Sequence, residues 1–171
     1  MVQAHPGQDG VERFSIRNDT IGVEKHVPLS RYIEVFGAGQ CAELFKFAVL
    51  RNPWDRAMSH YFSPHLGKHC WDRDVFMDLV DEIPTLRDFI GLNREEEESL
   101  DKNVDALLRF EHLDDDFASV CEVIQIPQRT LTRRNVSGKP HYRTFYDDET
   151  AGRVAERFAE EIALGKYRFG Q

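Results

Sequence analysis

The sequence feature that most constrains the fold is a short, nearly continuous apolar run that ends at a proline. The run is Phe45-Lys-Phe-Ala-Val-Leu50, and Arg51-Asn-Pro53 follows it directly. A run that is rich in strand-forming residues and lacks polar alternation is typical of a strand buried on both faces of a parallel sheet. Pro53 has no backbone N–H and cannot continue a sheet ladder. The pattern therefore predicts a buried parallel strand that stops at Arg51.

A strand followed by a helix occurs twice along the chain, and this repetition predicts the fold class. Asp55 is predicted to cap a helix that passes through Ser59 and Tyr61. Residues 106–110, Ala-Leu-Leu-Arg-Phe, form a second candidate strand, and residues 114–124 form the helix after it. Strands and helices that alternate in this way predict a three-layer α/β domain with a central, mainly parallel sheet.

Length and composition restrict the class of protein to which the chain can belong. A chain of 171 residues, 41% hydrophobic and 30% charged, suits one folded domain, which we expect over residues 11–171 after a loose tail over residues 1–10. No apolar run is long enough to span a bilayer and no apolar leader opens the chain, so we expect neither a transmembrane segment nor a secretory signal. The formal net charge of −8 argues against a nucleic-acid binder. Three cysteines without a C-x-x-C pair favour a reducing compartment, the cytoplasm, and predict no metal site.

Weaker patterns before the first strand predict a hairpin and a helix. Residues 14–16 and 20–23 alternate around Asn18-Asp19 and indicate a short hairpin. Three apolar residues then recur at helical spacing: Leu29, Ile33 and Phe36. We expect Ser30 to cap this helix and Gly37 to end it.

An amphipathic pattern near the C-terminus predicts one further helix. Asp148 opens this helix and Gly165 ends it. Three apolar residues lie on one of its faces: Val154, Phe158 and Ile162. No excess of Lys or Arg lines the polar side, so we expect the apolar face to pack in the core rather than on a lipid surface.

A basic stretch stands out in an otherwise acidic chain. From Val123 through Tyr146 the chain runs 24 positions without a carboxylate. The basic residues of this stretch are Arg129, Arg133, Arg134, Lys139 and Arg143, with His141 beside them. A polyanionic ligand gives a physical reason, because nearby carboxylates would repel it and these cations would attract it. We expect the stretch to lie beside Arg51, at the end of the first predicted strand.

The end of the first strand carries residues that suit an anion. Ligands in open parallel sheets bind beyond the carboxyl ends of the strands, where Arg51 lies. Its guanidinium can hold an anion through two parallel hydrogen bonds, and the next helix offers free N–H groups and a partial positive charge. Ser59, eight residues later, adds a hydroxyl donor. The pattern predicts a phosphate clamp, and the alternative is a surface arginine that pairs with Asp55.

The segment Phe45-Lys-Phe-Ala-Val-Leu-Arg-Asn-Pro-Trp-Asp-Arg-Ala-Met-Ser-His-Tyr61 resembles a known phosphate-binding segment. It is similar to the 3′-phosphate-binding segment of the sulfotransferases that use 3′-phosphoadenosine 5′-phosphosulfate (PAPS), in the bacterial members of the carbohydrate sulfotransferase type. The resemblance covers residues 25 to 169. Its further parts are Lys25-His26, Arg109-Phe-Glu-His-Leu113 with Asp116-Phe117, Asn135-Val-Ser137, Tyr142-Arg143, Tyr146-Asp147, Glu160-Glu-Ile162 and Tyr167-Arg-Phe169. This family resemblance implies a P-loop-NTPase-like architecture.

The resemblance also implies roles for individual residues. Arg51 and Ser59 would bind the 3′-phosphate of PAPS or of its product, 3′-phosphoadenosine 5′-phosphate (PAP). Four residues of the basic stretch would lie near the nucleotide or an anionic acceptor: Arg133, Arg134, Ser137 and Lys139. His26 would be the general base that takes a proton from the acceptor hydroxyl as the sulfuryl group is transferred in line. The acceptor would be a carbohydrate or another small molecule, recognised by variable loops between residues 63 and 103.

One part of the family pattern has no counterpart in this sequence. Family members begin with a strand and a Lys-bearing 5′-phosphosulfate loop, and neither a Gly-x-x-x-x-Gly-Lys-Ser/Thr nor a Pro-Lys-Thr segment occurs here. Either the chain is truncated and its sheet incomplete at the N-terminus, or another element substitutes for the loop, or the protein does not catalyse. The alternative function is therefore a non-catalytic nucleotide-binding or interaction domain derived from a sulfotransferase. A dinucleotide-dependent oxidoreductase, suggested by Gly37-Ala-Gly39, fits poorly because no strand is predicted before these glycines.

Overall fold

The structure is a computed structural model, and it describes residues 23, 26–63, 66–67, 70–91, 99–128, 131 and 140–171. Within these residues the fold is mixed α/β, mostly helical, with a small two-stranded parallel sheet. The described strands and helices are β1 (Phe47–Leu50), β2 (Ala106–Arg109), α1 (Leu29–Phe36), α2 (Ala38–Glu43), α3 (Pro53–Tyr61), α4 (Arg73–Glu82), α5 (Leu86–Ile90), α6 (Leu113–Val123), α7 (Asp148–Arg157) and α8 (Ala159–Gly165). Short 3-10 turns occupy Leu100–Asn103, Phe110–His112 and Tyr142–Phe145.

Two of the sequence predictions concern the N-terminal part of the chain, of which the structure describes little. The tail over residues 1–10 and the hairpin over residues 14–23 lie outside the described residues, apart from Val23, which is buried. None of the described helices is long and apolar enough to cross a membrane.

The two strands pair in parallel, which confirms the predicted parallel strand. Residues pair from Phe47 with Ala106 to Leu50 with Arg109. Both strands therefore end at the same edge of the sheet. At the opposite edge, the Asp105 carboxylate accepts a hydrogen bond from the Lys46 N–H at 2.7 Å, which anchors the start of the pair.

Strand β1 is less buried than the sequence predicts. Ala48 and Leu50 face an apolar cluster whose buried members also include Leu86, Ile90 and Leu100. Phe47 and Val49, which point to the other face, are each 43% exposed. On that face α6 packs against β2, and the Phe47 and Phe117 rings lie 6.1 Å apart between their centroids. The prediction of a strand buried on both faces is therefore wrong for β1 in the described structure.

Helix α3 begins at a cap that the sequence pattern assigned to another residue. Asn52 is the N-cap, and its side-chain oxygen accepts hydrogen bonds from the N–H groups of Trp54 (3.1 Å) and Asp55 (3.3 Å). Pro53 occupies the first helical position, where its fixed φ suits the helix and its missing N–H is not needed. Asp55 lies in the first turn, so the predicted cap is wrong by three residues.

Helix α1 confirms the predicted helix before β1, with one correction. Pro28 precedes Leu29, the first helical residue, and no side-chain hydrogen bond caps the helix. Ser30 lies inside α1, so its predicted capping role is wrong. Gly37 ends the helix as predicted, at φ 84°, and its N–H donates to the Ile33 carbonyl at 2.8 Å. A positive φ of this kind is the conformation that favours glycine.

The segment expected to form variable loops, between residues 63 and 103, supplies part of the core. Asp72 caps α4, and Thr85 with Asp88 forms a capping box at the start of α5. A buried apolar cluster joins this segment to α3 and α7, and it includes Phe76, Val80, Ile83, Tyr61 and Phe158. Residues 73–90 are therefore core rather than variable loops, because apolar residues one helical turn apart on α4 face inward.

The predicted C-terminal helix is two helices, α7 and α8. Phe158 separates them, with φ −113° and ψ 30°. The predicted core face is confirmed by three buried or half-buried residues: Val154, Phe158 and Ile162. Glu161, in the first turn of α8, is buried, and its carboxylate accepts the Leu86 N–H at 2.7 Å. This bond joins the first turn of α8, just after the break at Phe158, to the start of α5.

Candidate functional site

The carboxyl edge of the sheet brings Arg51 next to Phe110. Because Leu50 pairs with Arg109, the residues that follow the two strands lie side by side. The guanidinium carbon of Arg51 is 4.5 Å from the centre of the Phe110 ring. A cation over an aromatic face is attracted by the quadrupole of the ring. One face of the guanidinium is therefore covered by the protein itself.

Two side chains of α3 bind the edges of the Arg51 guanidinium. Asp55 Oδ2 accepts a hydrogen bond from Nε at 2.8 Å and lies 2.6 Å from Nη2. Nη1 donates to the Ser59 hydroxyl at 3.3 Å. Asp55 and Ser59 can both reach the same group because residues four apart are neighbours on a helix surface. The pairing with Ser59 and the alternative pairing with Asp55 are thus present together.

The N–H groups at the start of α3 are already bonded within the protein. The Asn52 side chain accepts those of Trp54 and Asp55, and the Asn52 carbonyl accepts that of Arg56 at 2.8 Å. Pro53 has no N–H to offer. The expectation that this helix presents free N–H groups is therefore wrong, and an anion at this edge would be held by side chains.

A chain of hydrogen bonds joins the ends of both strands to the C-terminal segment. Glu111 Oε1 accepts the Asn52 N–H at 2.7 Å, and Glu111 Oε2 accepts the Tyr167 hydroxyl at 2.9 Å. Burial, followed by the bond to Glu111, raises the pKa of Tyr167, so its hydroxyl stays protonated as a donor at neutral pH. Sequence reasoning gave Glu111 no role of its own, and its only signal is its place just after β2.

The last part of the basic stretch returns to this edge of the sheet. Tyr142 is buried, and its hydroxyl accepts hydrogen bonds from Asn52 Nδ2 at 3.3 Å and from the Gly170 N–H at 2.8 Å. The same hydroxyl donates to the Gln171 carbonyl at 3.1 Å. Asn52 adjoins Arg51 in the sequence, so the described end of the basic stretch contacts the loop that carries Arg51.

Burial and hydrogen bonds set the charges near Arg51. His60 follows Ser59 on α3 and is half-buried; burial first and the nearby Arg56 second lower its pKa, which makes it neutral at pH 7. Arg109 lies at the same edge, but Asp116 binds it: Oδ2 accepts the Arg109 N–H at 2.7 Å and lies 3.4 Å from its Nε. The backbone bond lowers the pKa of Asp116 and keeps this carboxylate charged.

Of the other predicted site residues, only His26 is among the described residues. His26 is exposed in a turn before α1, at φ 63°, a left-handed conformation that is uncommon for residues other than glycine. Arg133, Arg134, Ser137 and Lys139 lie outside the described residues. Arg51 and Ser59 are therefore brought together, while the positions of His26 and of the basic residues relative to them stay predictions.

The described residues include no group of three or more His, Cys, Asp or Glu side chains that could hold a metal ion. Comparisons with models of protein families, with curated proteins and with solved structures find no match to this chain. The chemistry of the site is therefore judged from its own residues. An oriented guanidinium beside a hydroxyl, at the carboxyl edge of a parallel sheet, suits a small anion such as a phosphate.

Proposed function

We propose that Arg51 and Ser59 bind the 3′-phosphate of PAPS or of PAP. The observation that carries this proposal is the 3.3 Å hydrogen bond from Arg51 Nη1 to Ser59 Oγ. It lies at the carboxyl edge of a parallel strand pair, where α/β proteins commonly bind their ligands. Arginine suits a phosphate because its planar set of donors matches two phosphate oxygens.

The unused donors of this clamp suit one phosphate group. A guanidinium has five N–H donors. Counted over the described residues, Asp55 accepts the Nε hydrogen and lies 2.6 Å from Nη2, and Ser59 accepts one hydrogen of Nη1, so Nη1 and Nη2 each keep at least one hydrogen. Ser59 accepts from Arg51 and therefore keeps its own hydroxyl hydrogen for donation. Three hydrogens can thus converge on the oxygens of a phosphate.

The proposed activity is transfer of the sulfuryl group of PAPS to a hydroxyl of a carbohydrate or other small acceptor. The acceptor oxygen forms a new S–O bond, the S–O bond to the 5′-phosphate breaks, and PAP leaves. His26 is the proposed base that takes the proton of the acceptor. The proposed fold is a P-loop-like three-layer domain, and two observations support it: α6 packs on one face of β2, and the cluster around Leu100 lies on the other side of the sheet.

The basic stretch is proposed to supply further cations to the nucleotide through Arg133, Arg134 and Lys139, with Ser137 beside them. Its end supports this position, because Tyr142, three residues beyond Lys139, contacts the loop of Arg51 through Asn52. The absence of carboxylates from this stretch of the sequence also suits a polyanionic ligand.

The proposed compartment is a reducing one, the cytoplasm. Cys41, Cys70 and Cys121 are all free, and Cys41 and Cys121 are buried. Free cysteines of this kind are typical of proteins kept in a reducing environment.

A second candidate is a nucleotide-binding or interaction domain without activity. The sequence favours it because no Lys-bearing 5′-phosphosulfate loop is present, and sulfuryl transfer needs preorganised cations where charge develops. Incubation of the purified chain with hydroxyl acceptors and PAPS labelled in its sulfuryl group measures whether the chain transfers this group without such a loop. We expect little or no transfer by this chain alone. Robust transfer would favour the enzyme and make Arg133 and Lys139 the first candidates for the missing donors.

Substitutions in the clamp test phosphate binding itself. Arg51→Ala removes charge-assisted hydrogen bonds worth about 1.5–3 kcal/mol, so PAP should bind about ten- to hundredfold more weakly and 5′-AMP should be little affected. Ser59→Ala removes a neutral donor and should weaken PAP about two- to tenfold. Isothermal titration calorimetry measures both nucleotides.

Arg153→Ala is the matched control for these variants. Arg153 is a partly exposed arginine of α7 that forms an ion pair with Asp81 of α4, so it shares the chemistry of Arg51 but not its place at the sheet edge. We expect this control to bind PAP like the native chain. An unchanged affinity in Arg51→Ala, or an equal loss in the control, would contradict the proposed clamp.

A further inference from the structure

We propose that Asp55 is a positioning residue of the phosphate clamp: its carboxylate orients the Arg51 guanidinium so that Nη1 and Nη2 face the anion. This inference rests on the proposed function of Arg51 and Ser59. Asp55 Oδ2 lies 2.8 Å from Nε and 2.6 Å from Nη2, so it occupies the side edge of the guanidinium. Among the described residues, neither Asp55 nor Ser59 takes all the hydrogens of Nη1 and Nη2, so each of these nitrogens keeps at least one for an anion.

Two further contacts restrict the same group. Ser59 accepts from Nη1 at 3.3 Å, and the Phe110 ring covers one face at 4.5 Å from the guanidinium carbon. With one edge, one nitrogen and one face engaged, the guanidinium cannot rotate without losing a contact. The arginine therefore loses much of its rotamer freedom on folding, and less remains to be lost when an anion binds.

The inference is testable because the two possible effects of Asp55, orientation of Arg51 and repulsion of the anion, predict opposite changes in phosphate binding when Asp55 is replaced. A carboxylate near an anion site repels the anion, so its charge alone predicts tighter phosphate binding when Asp55 is removed. The side chains of Arg51 and Asp55 are 26% and 38% exposed, so solvent screens part of this repulsion. If the main effect of Asp55 is to orient Arg51, its removal weakens binding instead.

The first experiment compares Asp55→Ala with Asp55→Asn by calorimetric titration with PAP. Asp55→Ala removes the acceptor, and we expect PAP to bind about three- to tenfold more weakly. Asp55→Asn keeps an acceptor oxygen without the charge, so its affinity for PAP should equal or exceed that of the native chain. The control is Asp81→Ala, which breaks the exposed ion pair with Arg153 and should leave PAP binding unchanged. Binding of PAP by Asp55→Ala that is as tight as native or tighter would overturn the proposal, and so would equal weakening by Asn and Ala.

A second measurement needs no nucleotide, so it keeps the test valid if PAP does not bind, and the backbone signals of the same spectrum show whether each variant is folded. The Arg51 Nε–H, assigned by its loss in Arg51→Lys, is followed by two-dimensional ¹H–¹⁵N spectroscopy. We expect a slowly exchanging signal in the native chain and in Asp55→Asn, and its loss in Asp55→Ala. An unchanged signal in Asp55→Ala would overturn the positioning role. Equal affinity of the native chain for PAP and 5′-AMP would instead contradict the proposed function, so the two failures are distinguishable.

Discussion

Asn52 joins β1, α3 and the C-terminal segment, and each of its polar atoms makes a hydrogen bond. Its side-chain oxygen caps α3, its N–H donates to Glu111, and its Nδ2 donates to the Tyr142 hydroxyl. Because the Asn52 side chain is buried, a polar group that lost its hydrogen bond to this side chain would have little access to water in its place. Unsatisfied polar groups in such places are costly. Asn52 therefore fixes the loop that carries Arg51.

We expect Asn52→Ala to lower the free energy of unfolding by about 1–3 kcal/mol, because it removes a helix cap and a buried hydrogen bond. Ser30→Ala is the control, since Ser30 lies inside α1 and does not cap it. Its effect should stay within about 0.5 kcal/mol. Urea denaturation followed by circular dichroism measures both variants. Equal losses in the two would contradict the assignment of the cap to Asn52.

Sequence reasoning at the residue scale found the pair of Arg51 and Ser59 because their spacing follows from a strand end and the next helix. It treated the bond to Asp55 as an alternative to this pair, whereas a guanidinium has donors enough for both. It gave no role to Glu111 or to the Tyr142 hydroxyl as acceptors of hydrogen bonds from Asn52, from which they lie 59 and 90 residues away. Hydrogen bonds over such separations leave no local pattern in the sequence.

Among the helices, α7 begins at a capping box whose strength depends on pH. The Asp147 carboxylate accepts the Thr150 N–H at 2.7 Å, and the Thr150 hydroxyl accepts the Asp147 N–H at 3.0 Å. The bond from the Thr150 backbone, followed by the bond from Arg73, lowers the pKa of Asp147 to about 2. An unfolded aspartate has a pKa of about 3.9. This stabilisation is therefore complete above about pH 4 and is lost as the pH falls from about 4 towards 2.

Asp147→Asn should flatten this pH dependence, because asparagine still caps a helix but does not titrate. Between about pH 5 and about pH 2.5 we expect the urea midpoint of the native chain to fall further than that of the variant. Asp148→Asn, a change at the neighbouring exposed aspartate that does not cap the helix, should keep the native dependence. Parallel curves for Asp147→Asn and the native chain would argue against this cap as the titrating group.

At the element scale, periodicity predicted β1, β2, α1 and α6 to within one or two residues. It could not predict the exposure of Phe47 and Val49, because coverage of a strand depends on where a distant helix packs. It also did not predict the break at Phe158, which neither Pro nor Gly marks. Helix α4 was missed although Asp72, followed by apolar residues one turn apart, offers a helix start in the sequence.

On the scale of the whole molecule, alternation of strand and helix was enough to predict a mixed α/β fold with a parallel pair. The wider three-layer arrangement stays a prediction, because the described sheet has two strands. Charge also separates along the chain: the net charge is −8, yet 24 consecutive positions carry no acid, and the end of this stretch contacts the loop of Arg51. The net charge of the chain does not indicate such a locally positive segment, whereas the order of charged residues along the sequence does.

Calorimetric titration of the native chain with PAP and with 5′-AMP is the most direct test of phosphate binding at Arg51 and Ser59. The two nucleotides differ only in the 3′-phosphate, so the ratio of their affinities isolates the proposed contact. We predict that PAP binds about ten- to hundredfold more tightly, as expected for a charge-assisted hydrogen bond, and that the ratio narrows as salt screens the charges. Equal affinities for PAP and 5′-AMP would contradict the proposed 3′-phosphate clamp.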